Sequence, residues 1–317
     1  PHIVLKPKRG SPKDADDFGI RVVGDYVYVN SQTEPLQANA PNVPFLIQKA
    51  AGHSAYWYTD GDKQYKGWEL HEDSRDVAAI RTPIGTLRPT RLQFGLRNAG
   101  IYTQGTVRRV LEGELPQYAK DHMVNIADDF TGFVETAKGS EEADWDGLVK
   151  GFVQFLDLCV ENNWSLAAHK TVFGAAKCDF FGHTLSAAGV QMADHQLAPI
   201  ERMVAPQDIS ELRRVLGLMV QHKDRVPSYG IITRCLHDLT RKGTAWRWRD
   251  NVEDATFERL RSECLKNRIL AAFDPHKQVF VASDASEHGK GAVVYQLKDP
   301  SKPHSLDNEA ILLYYSK

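Results

Sequence analysis

The sequence has little cysteine, and what it has is dispersed. Its four cysteines, among 317 residues, form no Cys-x-x-Cys pair. This spacing argues against a zinc ribbon, a thioredoxin-like motif or a small disulfide scaffold. We therefore expect reduced, mostly buried thiols, and with them a cytoplasmic or nuclear protein.

Long apolar runs are also missing. No stretch approaches the ~18 consecutive apolar residues that a membrane span needs, and no signal peptide opens the chain. The sequence predicts no membrane partner. With 42% hydrophobic and 25% charged residues, its composition is that of an ordinary globular chain of about two domain lengths. The first residue is Pro1, which we interpret as a sign that the chain was excised from something longer.

A basic excess is absent, since the formal net charge is -2. That is mildly unfavourable to a nucleic-acid partner. The charges are nevertheless polarised: acids are dense over 121–146, whereas 201–250 has ten lysines and arginines against six carboxylates. Two solvated surfaces would explain this distribution, and so would an acidic metal site beside a basic arm that follows a phosphate backbone.

Apolar periodicity and turn residues predict a chain in three parts: mixed α and β, then helical, then β. Residues 1–19 and 30–44 look like loops. Predicted strands cover 21–29, 55–59, 77–82, 123–127 and 130–136, with two short ones near 172–173 and 180–185, and further strands over 278–296 around an Asp-Ala-Ser turn. Predicted helices cover 98–111, 143–162, a series that starts at Asp208, and 256–267.

Three carboxylates occupy informative positions. Asp60 ends one predicted strand, and Asp128 and Asp129 form the turn of a predicted hairpin. If these strands are neighbours, the acids meet at one sheet edge, where a divalent cation must offset their repulsion. Hard oxygen ligands select Mg²⁺ or Mn²⁺, and two such ions support in-line phosphoryl transfer. An isolated Asp-Asp pair, such as Asp16–Asp17, is more often a solvated turn.

Several motifs, in order, resemble the reverse transcriptase of gypsy-type LTR retrotransposons. Ile126-Ala127-Asp128-Asp129 is similar to the Tyr-x-Asp-Asp box, and Phe180-Phe181-Gly182-His183 to the Phe-Leu-Gly-His primer grip. The run from Glu211 to Leu218 is similar to the thumb motif Glu-Leu-Arg-x-Phe-Leu-Gly-Leu. Each motif alone is weak, but their order and spacing along most of the chain make the resemblance specific.

The resemblance implies roles for the nucleotide-binding residues. Arg21, in the run Arg21-Val22-Val23-Gly24-Asp25-Tyr26, would bind the incoming triphosphate. In the family a lysine upstream of this arginine often assists, and Lys13 is the nearest match. Tyr65, five residues after Asp60, would be the gate that excludes a 2′-hydroxyl. Phe94 and Gly95 would support the nucleotide.

The other implied roles concern metal ions, the leaving group and nucleic acid. Asp60, Asp128 and Asp129 would hold two Mg²⁺, with Mn²⁺ as a substitute, and Lys170 would protonate the departing pyrophosphate. Phe181, Gly182 and His183 would form the primer grip. Gln104 would support the template base, and Arg213 and Arg214 would contact duplex phosphates. Asp284 would be the first acid of an RNase H domain whose other acids lie beyond Lys317, so we expect no RNase H activity.

The implied fold class is α+β: a right-hand polymerase with an antiparallel-sheet palm, interleaved fingers, a helical thumb and a partial RNase H-like α/β segment. We place the fingers and palm at 1–190, the thumb at 191–265 and the start of RNase H at 266–317. Implied partners are an RNA template, a DNA primer–template duplex and dNTPs, with the oligomeric state open. The implied location is cytoplasmic, including virus-like particles, with nuclear access.

The family pattern is not matched everywhere. Ile126 replaces the usual Tyr, and Gln93 and Gly100 replace two prolines. These departures motivate a competing hypothesis, a retroelement-derived nucleic-acid-binding scaffold that has lost catalysis. A third hypothesis, a metal-dependent nuclease or phosphatase, predicts phosphate release without a template.

Overall fold

A computed structural model gives the structure of the protein. It describes residues 2–7, 18–37, 41–135, 143–266, 268–286 and 289–316. The chain divides into two units, each built from separated segments. The first comprises Pro1–Val43, Trp57–Gly132 and Asp146–Phe173, and the second comprises Pro44–Tyr56, Phe133–Trp145 and Gly174–Lys317.

Helices and strands are mixed along the chain. The strands are β1 (His2–Pro7), β2 (Phe18–Val23), β3 (Ala55–Asp60), β4 (Ile80–Thr82), β5 (Gly85–Leu87), β6 (Met123–Ile126), β7 (Asp129–Val134), β8 (Val172–Ala175), β9 (Lys177–Phe180), β10 (His183–Ser186), β11 (Gly189–Met192), β12 (Val279–Ser286), β13 (Gly289–Leu297) and β14 (Glu309–Ser316). The α-helices are α1 (Val27–Gln32), α2 (Val43–Ala50), α3 (Gln64–Gly67), α4 (Glu72–Val77), α5 (Ala99–Glu114), α6 (Gln117–Asp121), α7 (Trp145–Glu161), α8 (Asp194–Glu201), α9 (Ile209–Met219), α10 (Tyr229–Leu239) and α11 (Ala255–Leu265).

A four-stranded sheet in the order β6-β7-β3-β8 organises the first unit. On this sheet, the buried Trp57 ring stacks on the Phe155 ring of α7, with 5.2 Å between the ring centroids. The centroid of the Phe130 ring lies 4.9 Å from that of Phe155. Gly132 makes this packing possible, because a Cβ there would lie 2.1 Å from the Trp57 indole nitrogen. Each large ring buried here contributes roughly 1.5–3 kcal/mol.

Helix α7 packs by the periodicity that its sequence predicts. Its buried positions are spaced by one, three or four residues, as expected for one face of a helix. They are Gly147, Leu148, Gly151, Phe155, Leu158 and Cys159.

The second unit contains two three-stranded sheets, β11-β10-β9 and β12-β13-β14, and a helical bundle. The bundle core is formed by apolar faces of α9, α10 and α11, including Leu212, Leu236 and Leu260. Asp208 caps α9, since its carboxylate accepts the Glu211 N–H at 2.7 Å. The cap lies where the sequence predicts that the helical series starts.

The predicted strand over 21–29 is wrong in its second half. Strand β2 ends at Val23, and Val27-Tyr28-Val29 begin helix α1 instead. Val27 and Tyr28 are 76% and 79% exposed, so their apolar character does not mark a buried strand. The Asp25 carboxylate accepts the Val27 N–H at 3.0 Å, a local turn that competes with an extended chain.

Other boundaries also differ from prediction. The supposed N-terminal loop contains β1, which pairs antiparallel with β2. Four strands, not two, lie between Val172 and Met192. The Asp-Ala-Ser segment is not a turn, because Asp284 lies within β12 opposite Gly291 of β13.

The remaining expectations stand as follows. The four cysteines are free, and three of them are buried, as expected. No helix among the described residues has the length and apolarity to cross a bilayer. The boundaries proposed for fingers and palm, thumb and RNase H remain predictions.

Candidate active site

The three predicted carboxylates come together at one edge of the sheet in the first unit. Asp60 is the last residue of β3, and Asp128 precedes Asp129 at the β6–β7 turn. The Gly61 N–H donates to the Asp128 carbonyl at 2.7 Å, which joins the end of β3 to that turn.

The closeness of these acids changes their electrostatics. Burial, followed by the neighbouring charges of Asp128 and Asp60, raises the pKa of Asp129 to about 6. The Asp129 and Asp60 carboxyl groups are also hydrogen-bonded to each other, which favours the protonated form of Asp129. Lys170 acts in the opposite direction and limits the rise.

Lys170 is the cation of the site. Its ammonium group donates a hydrogen bond to Oδ2 of Asp60. The residue ends a short 3₁₀ turn that begins at Ala168, and this turn is tied to β3 because the Ala167 N–H donates to the Asp60 carbonyl at 2.8 Å. A hydrogen bond of 2.8 Å between the Thr59 and Thr171 hydroxyls strengthens the same connection.

The donor set has the chemistry of a magnesium site, although the donors are not gathered around a point. Within the described ranges, no three His, Cys, Asp or Glu side chains converge as ligands of one metal ion. The carboxylates of Asp60, Asp128 and Asp129 are nevertheless hard oxygen donors, and the raised pKa of Asp129 reports negative charge that a divalent cation would offset. By donor type these residues fit Mg²⁺, and Lys170 occupies an Asp60 oxygen that such an ion would use.

A closed set of hydrogen bonds holds the turn before the carboxylates. Ala127 has φ +55°, a left-handed conformation that is costly for a residue with a Cβ. The Gln104 side-chain oxygen accepts the Ala127 N–H, the Gln104 amide donates to Asn125 Oδ1 at 3.2 Å, and the Asn125 amide donates to the Ala127 carbonyl at 2.9 Å. Gln104, predicted to support a template base, thus contacts the hairpin itself.

Asn125 was not singled out from the sequence. It is a buried polar residue in the middle of an apolar strand, Met123-Val124-Asn125-Ile126. Such a residue needs a hydrogen-bond partner, and this was the available signal that it serves the adjacent turn.

Tyr65 lies beside the carboxylates on α3. Burial and, to a smaller extent, the charge of Asp128 raise the pKa of the Tyr65 hydroxyl. Its ring lies 4.7 Å from that of Phe94. Gly100 leaves room for the hydroxyl, because a Cβ at that position would lie 3.3 Å from it. The structure thus brings Tyr65 and Phe94 together, and their roles toward a nucleotide remain predictions.

The loop that contains Gly95 is held by α1. Gly95 has φ +93°, which favours glycine at this position. The Asn30 amide donates to the Gly95 carbonyl, and Asn30 Oδ1 accepts the Arg97 N–H, both at 2.8 Å. The backbone of Arg21 lies in β2 opposite Val4, whereas Lys13 falls outside the described residues.

The remaining predicted residues belong to the second unit. Phe181 and Gly182 form the β9–β10 turn with φ +45° and +76°, and the His183 imidazole lies 3.0 Å from the Phe181 carbonyl.

Arg213 and Arg214 are exposed on α9. Arg213 donates to the Thr240 carbonyl, and Arg214 lies 3.6 Å from Glu211. Asp284 is exposed on β12.

The chain is similar in sequence to several known proteins. Residues 248–315 match the family described as an RNase H-like domain found in reverse transcriptase. Over 93% of its length, the chain is 25% identical to the retrovirus-related Pol polyprotein from transposon 412 of Drosophila melanogaster and 26% identical to that from transposon 297. It is 23% identical over 89% of its length to the transposon Tf2-3 polyprotein of Schizosaccharomyces pombe.

Solved structures show a similar fold. The foamy viral protease-reverse transcriptase dRH in complex with double-stranded DNA matches 96% of this chain with a TM-score of 0.80 at 18% identity. The foamy viral protease-reverse transcriptase in complex with an RNA/DNA hybrid matches 96% with a TM-score of 0.74. The resemblance to LTR-retrotransposon reverse transcriptases is confirmed.

The chain has an α+β reverse-transcriptase fold, as expected. It spans 23% and 26% of the two Drosophila polyproteins, and 50% and 38% of the two foamy viral chains. The match to the RNase H-like family starts at residue 248, ahead of the boundary at 266 that the sequence predicts.

Proposed function

We propose that this chain catalyses RNA- and DNA-templated DNA synthesis, extending the 3′-hydroxyl of a primer. The observation that carries the proposal is the closeness of Asp129 to Asp60 and Asp128, beside Tyr65, on a reverse-transcriptase fold. Three acids held at one edge against their mutual repulsion are a poor arrangement for stability. Their placement is accounted for by a reaction that needs dense negative charge around divalent cations.

In this proposal Asp60, Asp128 and Asp129 hold two Mg²⁺, with Mn²⁺ as a substitute. When bound, the ions would activate the primer hydroxyl and offset charge on the departing pyrophosphate. The protein supplies the position of the reacting groups. The Tyr65 ring, backed by Phe94, would stack under the sugar. The Lys170 ammonium, which contacts Asp60, would deliver a proton to the leaving group.

The proposed partners are an RNA template, a DNA primer–template duplex and dNTPs. The foamy viral proteins of similar fold were solved with double-stranded DNA and with an RNA/DNA hybrid. In this chain, the exposed Phe181 turn and the exposed Arg213 and Arg214 offer an apolar contact and cations for a duplex backbone. Arg21 is assigned to the triphosphate on the resemblance alone.

A primer-extension assay tests the proposal with a matched pair of variants. Asp128→Asn removes a proposed ligand. Asp62→Asn removes an exposed acid near the same edge, which pairs with Lys63 at 3.5 Å. We expect Asp128→Asn to abolish Mg²⁺-dependent extension on RNA and DNA templates without loss of duplex binding, and Asp62→Asn to retain it. Full extension by Asp128→Asn contradicts the assignment.

A binding scaffold without catalysis is the second candidate. The contact between Lys170 and Asp60 favours it, because that carboxylate already has a cationic partner. A scaffold would bind primer–template with a steep salt dependence but incorporate no nucleotide at any Mg²⁺ or Mn²⁺ concentration. Metal-dependent incorporation by the unmodified chain eliminates this candidate.

A further inference from the structure

A pair of buried basic residues lies in the second unit. Arg225 and His222 belong to a 3₁₀ helix over Val220–Arg225, which directly follows α9. Arg225 is 6% exposed and His222 is 1% exposed. Arginine is rarely buried to this extent unless an acid or another acceptor is paired with it. The surroundings of the Arg225 guanidinium therefore need an explanation.

The Arg225 guanidinium has no partner within the described part of the chain. It forms no ion pair and no hydrogen bond there, and its Nε atom is fully enclosed. The acid whose charge acts on it is Asp224, its neighbour in sequence, and the side chain of Asp224 is exposed. Burial outweighs this acid and lowers the pKa of Arg225 to about 10. A buried charge that is not paired costs several kcal/mol.

Two imidazoles lie close enough to Arg225 for the charges to interact. His222 Nδ1 is enclosed and has no hydrogen-bond partner among the described residues. His183, on β10, has its Nδ1 3.0 Å from the Phe181 carbonyl. Burial, followed by the charge of Arg225, lowers the pKa of both imidazoles. Basic side chains from two separate elements thus come together without a carboxylate to offset them.

A further cation approaches the same helix. The Arg268 guanidinium donates to the Arg225 carbonyl at 3.3 Å, and it is itself paired with Glu263 at 2.7 Å. Glu263 also accepts a hydrogen bond from Lys266. This acid is therefore already shared between two cations, and it does not offset the charge of Arg225.

An anion would supply the partner that the chain does not provide. A guanidinium has five N–H donors, and a neutral imidazole has one. Hydrogen bonds between a guanidinium and an anion are charge-assisted and about twice as strong as those between neutral groups. Because Nε is enclosed, the small exposed surface of Arg225 lies on its other atoms, and a small ion can reach it there.

We propose that Arg225, His222 and His183 form a binding site for a small inorganic anion, with the guanidinium as its main donor. Chloride and inorganic phosphate share the required charge and acceptor chemistry, and they differ in size. The site goes beyond the proposed function, since it needs no carboxylate, divalent cation, nucleotide or primer.

Histidine NMR detects the anion directly. The full chain, with its 12 histidines labelled with ¹⁵N, is titrated at constant pH with sodium chloride or with sodium phosphate, while sodium gluconate keeps the ionic strength constant. The His222 and His183 signals are assigned by their loss in His222→Phe and His183→Gln. We expect both signals to shift in a saturable manner with at least one ion, and the ion that saturates at the lower concentration is the preferred ligand. The signal of His237, which is exposed on α10, should not shift.

Urea unfolding of two matched variants assigns the ion to Arg225. Arg225→Met removes the buried charge, whereas Arg259→Met removes an exposed charge from α11. In gluconate, Arg225→Met should be at least as stable as the unmodified chain, because it no longer buries an unpaired charge. The preferred ion should raise the urea midpoint of the unmodified chain and of Arg259→Met, since it binds the folded state. It should leave the midpoint of Arg225→Met unchanged.

Three results would contradict the anion site. The first is the absence of a shift at His222 and His183 up to about 0.3 M of either ion, which needs no variant at Arg225. The second is equal stabilisation of Arg225→Met and Arg259→Met, which indicates a general salt effect. The third is a marked loss of stability of Arg225→Met in gluconate, which indicates that the guanidinium already has a partner in the chain. Asp128→Asn separates this site from the polymerase proposal, because it should stop extension and still bind the ion.

Discussion

The ammonium group of Lys170 donates a hydrogen bond to the Asp60 carboxylate, although 110 residues separate the two. The contact places a positive charge at the edge where three acids converge. Lys170 therefore offsets part of the charge that a metal ion would neutralise, and in the proposed site the lysine and a metal ion would compete for the same oxygen.

This competition predicts that Lys170→Met raises metal affinity. Without the ammonium group, Mn²⁺ should bind the nucleotide-free chain about tenfold more tightly, which corresponds to ~1.4 kcal/mol of repulsion removed. Electron paramagnetic resonance of free Mn²⁺ measures this directly. Lys63→Met, whose lysine pairs with Asp62, is the control and should leave the affinity unchanged. Equal affinities for Lys170→Met and the unmodified chain would refute the competition.

The hydrogen bonds around Ala127 predict that Gln104 positions the hairpin. Gln104→Met keeps the shape of the side chain but removes the bonds to Ala127 and Asn125. We expect a loss of ~1–3 kcal/mol in the free energy of unfolding and slower extension, with duplex affinity unchanged. If Gln104 instead contacts the template, duplex affinity falls and stability does not.

A second change distinguishes these outcomes further. Ala127→Gly removes the Cβ that makes φ +55° unfavourable. We expect it to restore stability to Gln104→Met by ~1 kcal/mol in urea unfolding. No recovery would show that the turn does not depend on the Gln104 contacts.

The burial of His222 leads us to expect that the protein loses stability in mild acid. Burial, then the charge of Arg225 and the proximity of His183, lowers the pKa of His222 to about 4. An unfolded histidine titrates near 6.5, so between pH 6.5 and 4 the unfolded state binds more protons. Stability is therefore full above pH 6.5 and falls as the pH drops toward 4, by about 1–2 kcal/mol at pH 5.

Urea unfolding at pH 7 and pH 5 measures this dependence. The lowered pKa of His183 contributes in the same direction. His222→Phe should flatten the pH dependence, whereas His237→Phe, at an exposed position, should not. An unchanged slope in His222→Phe would show that other groups control acid stability.

We expect the stability of the helical bundle to depend on the carboxylate of Glu253. Its buried carboxylate accepts hydrogen bonds from the Arg249 backbone N–H and guanidinium at 2.7–3.0 Å. The bonds from the guanidinium are the largest cause that lowers the pKa of Glu253, to about 2. Glu253→Gln should cost about 2 kcal/mol in thermal unfolding. Asp250→Asn, on the same turn, is the control, and equal melting temperatures for both would contradict the assignment.

Much of the site could be predicted from the sequence because its signals are local. An apolar run followed by acids specifies both the end of β3 and the β6–β7 turn, and the convergence of Asp60 with Asp128 and Asp129 follows from neighbouring strands. The left-handed Ala127 could not be predicted, since it depends on Gln104 from a distant helix. Helix α1 was missed because apolar residues that remain exposed imitate a strand.

The close approach of Gly132 and Trp57 has a further effect on chemistry. Trp57 precedes Asp60 by three residues, and Gly132 follows Asp129 by three. The indole thus fixes how far one strand can slide along the other, and with it the distance at which the acids face each other. A larger side chain at position 132 would need a smaller one at position 57. A change at either position alone would therefore shift the carboxylates, although neither residue contacts them.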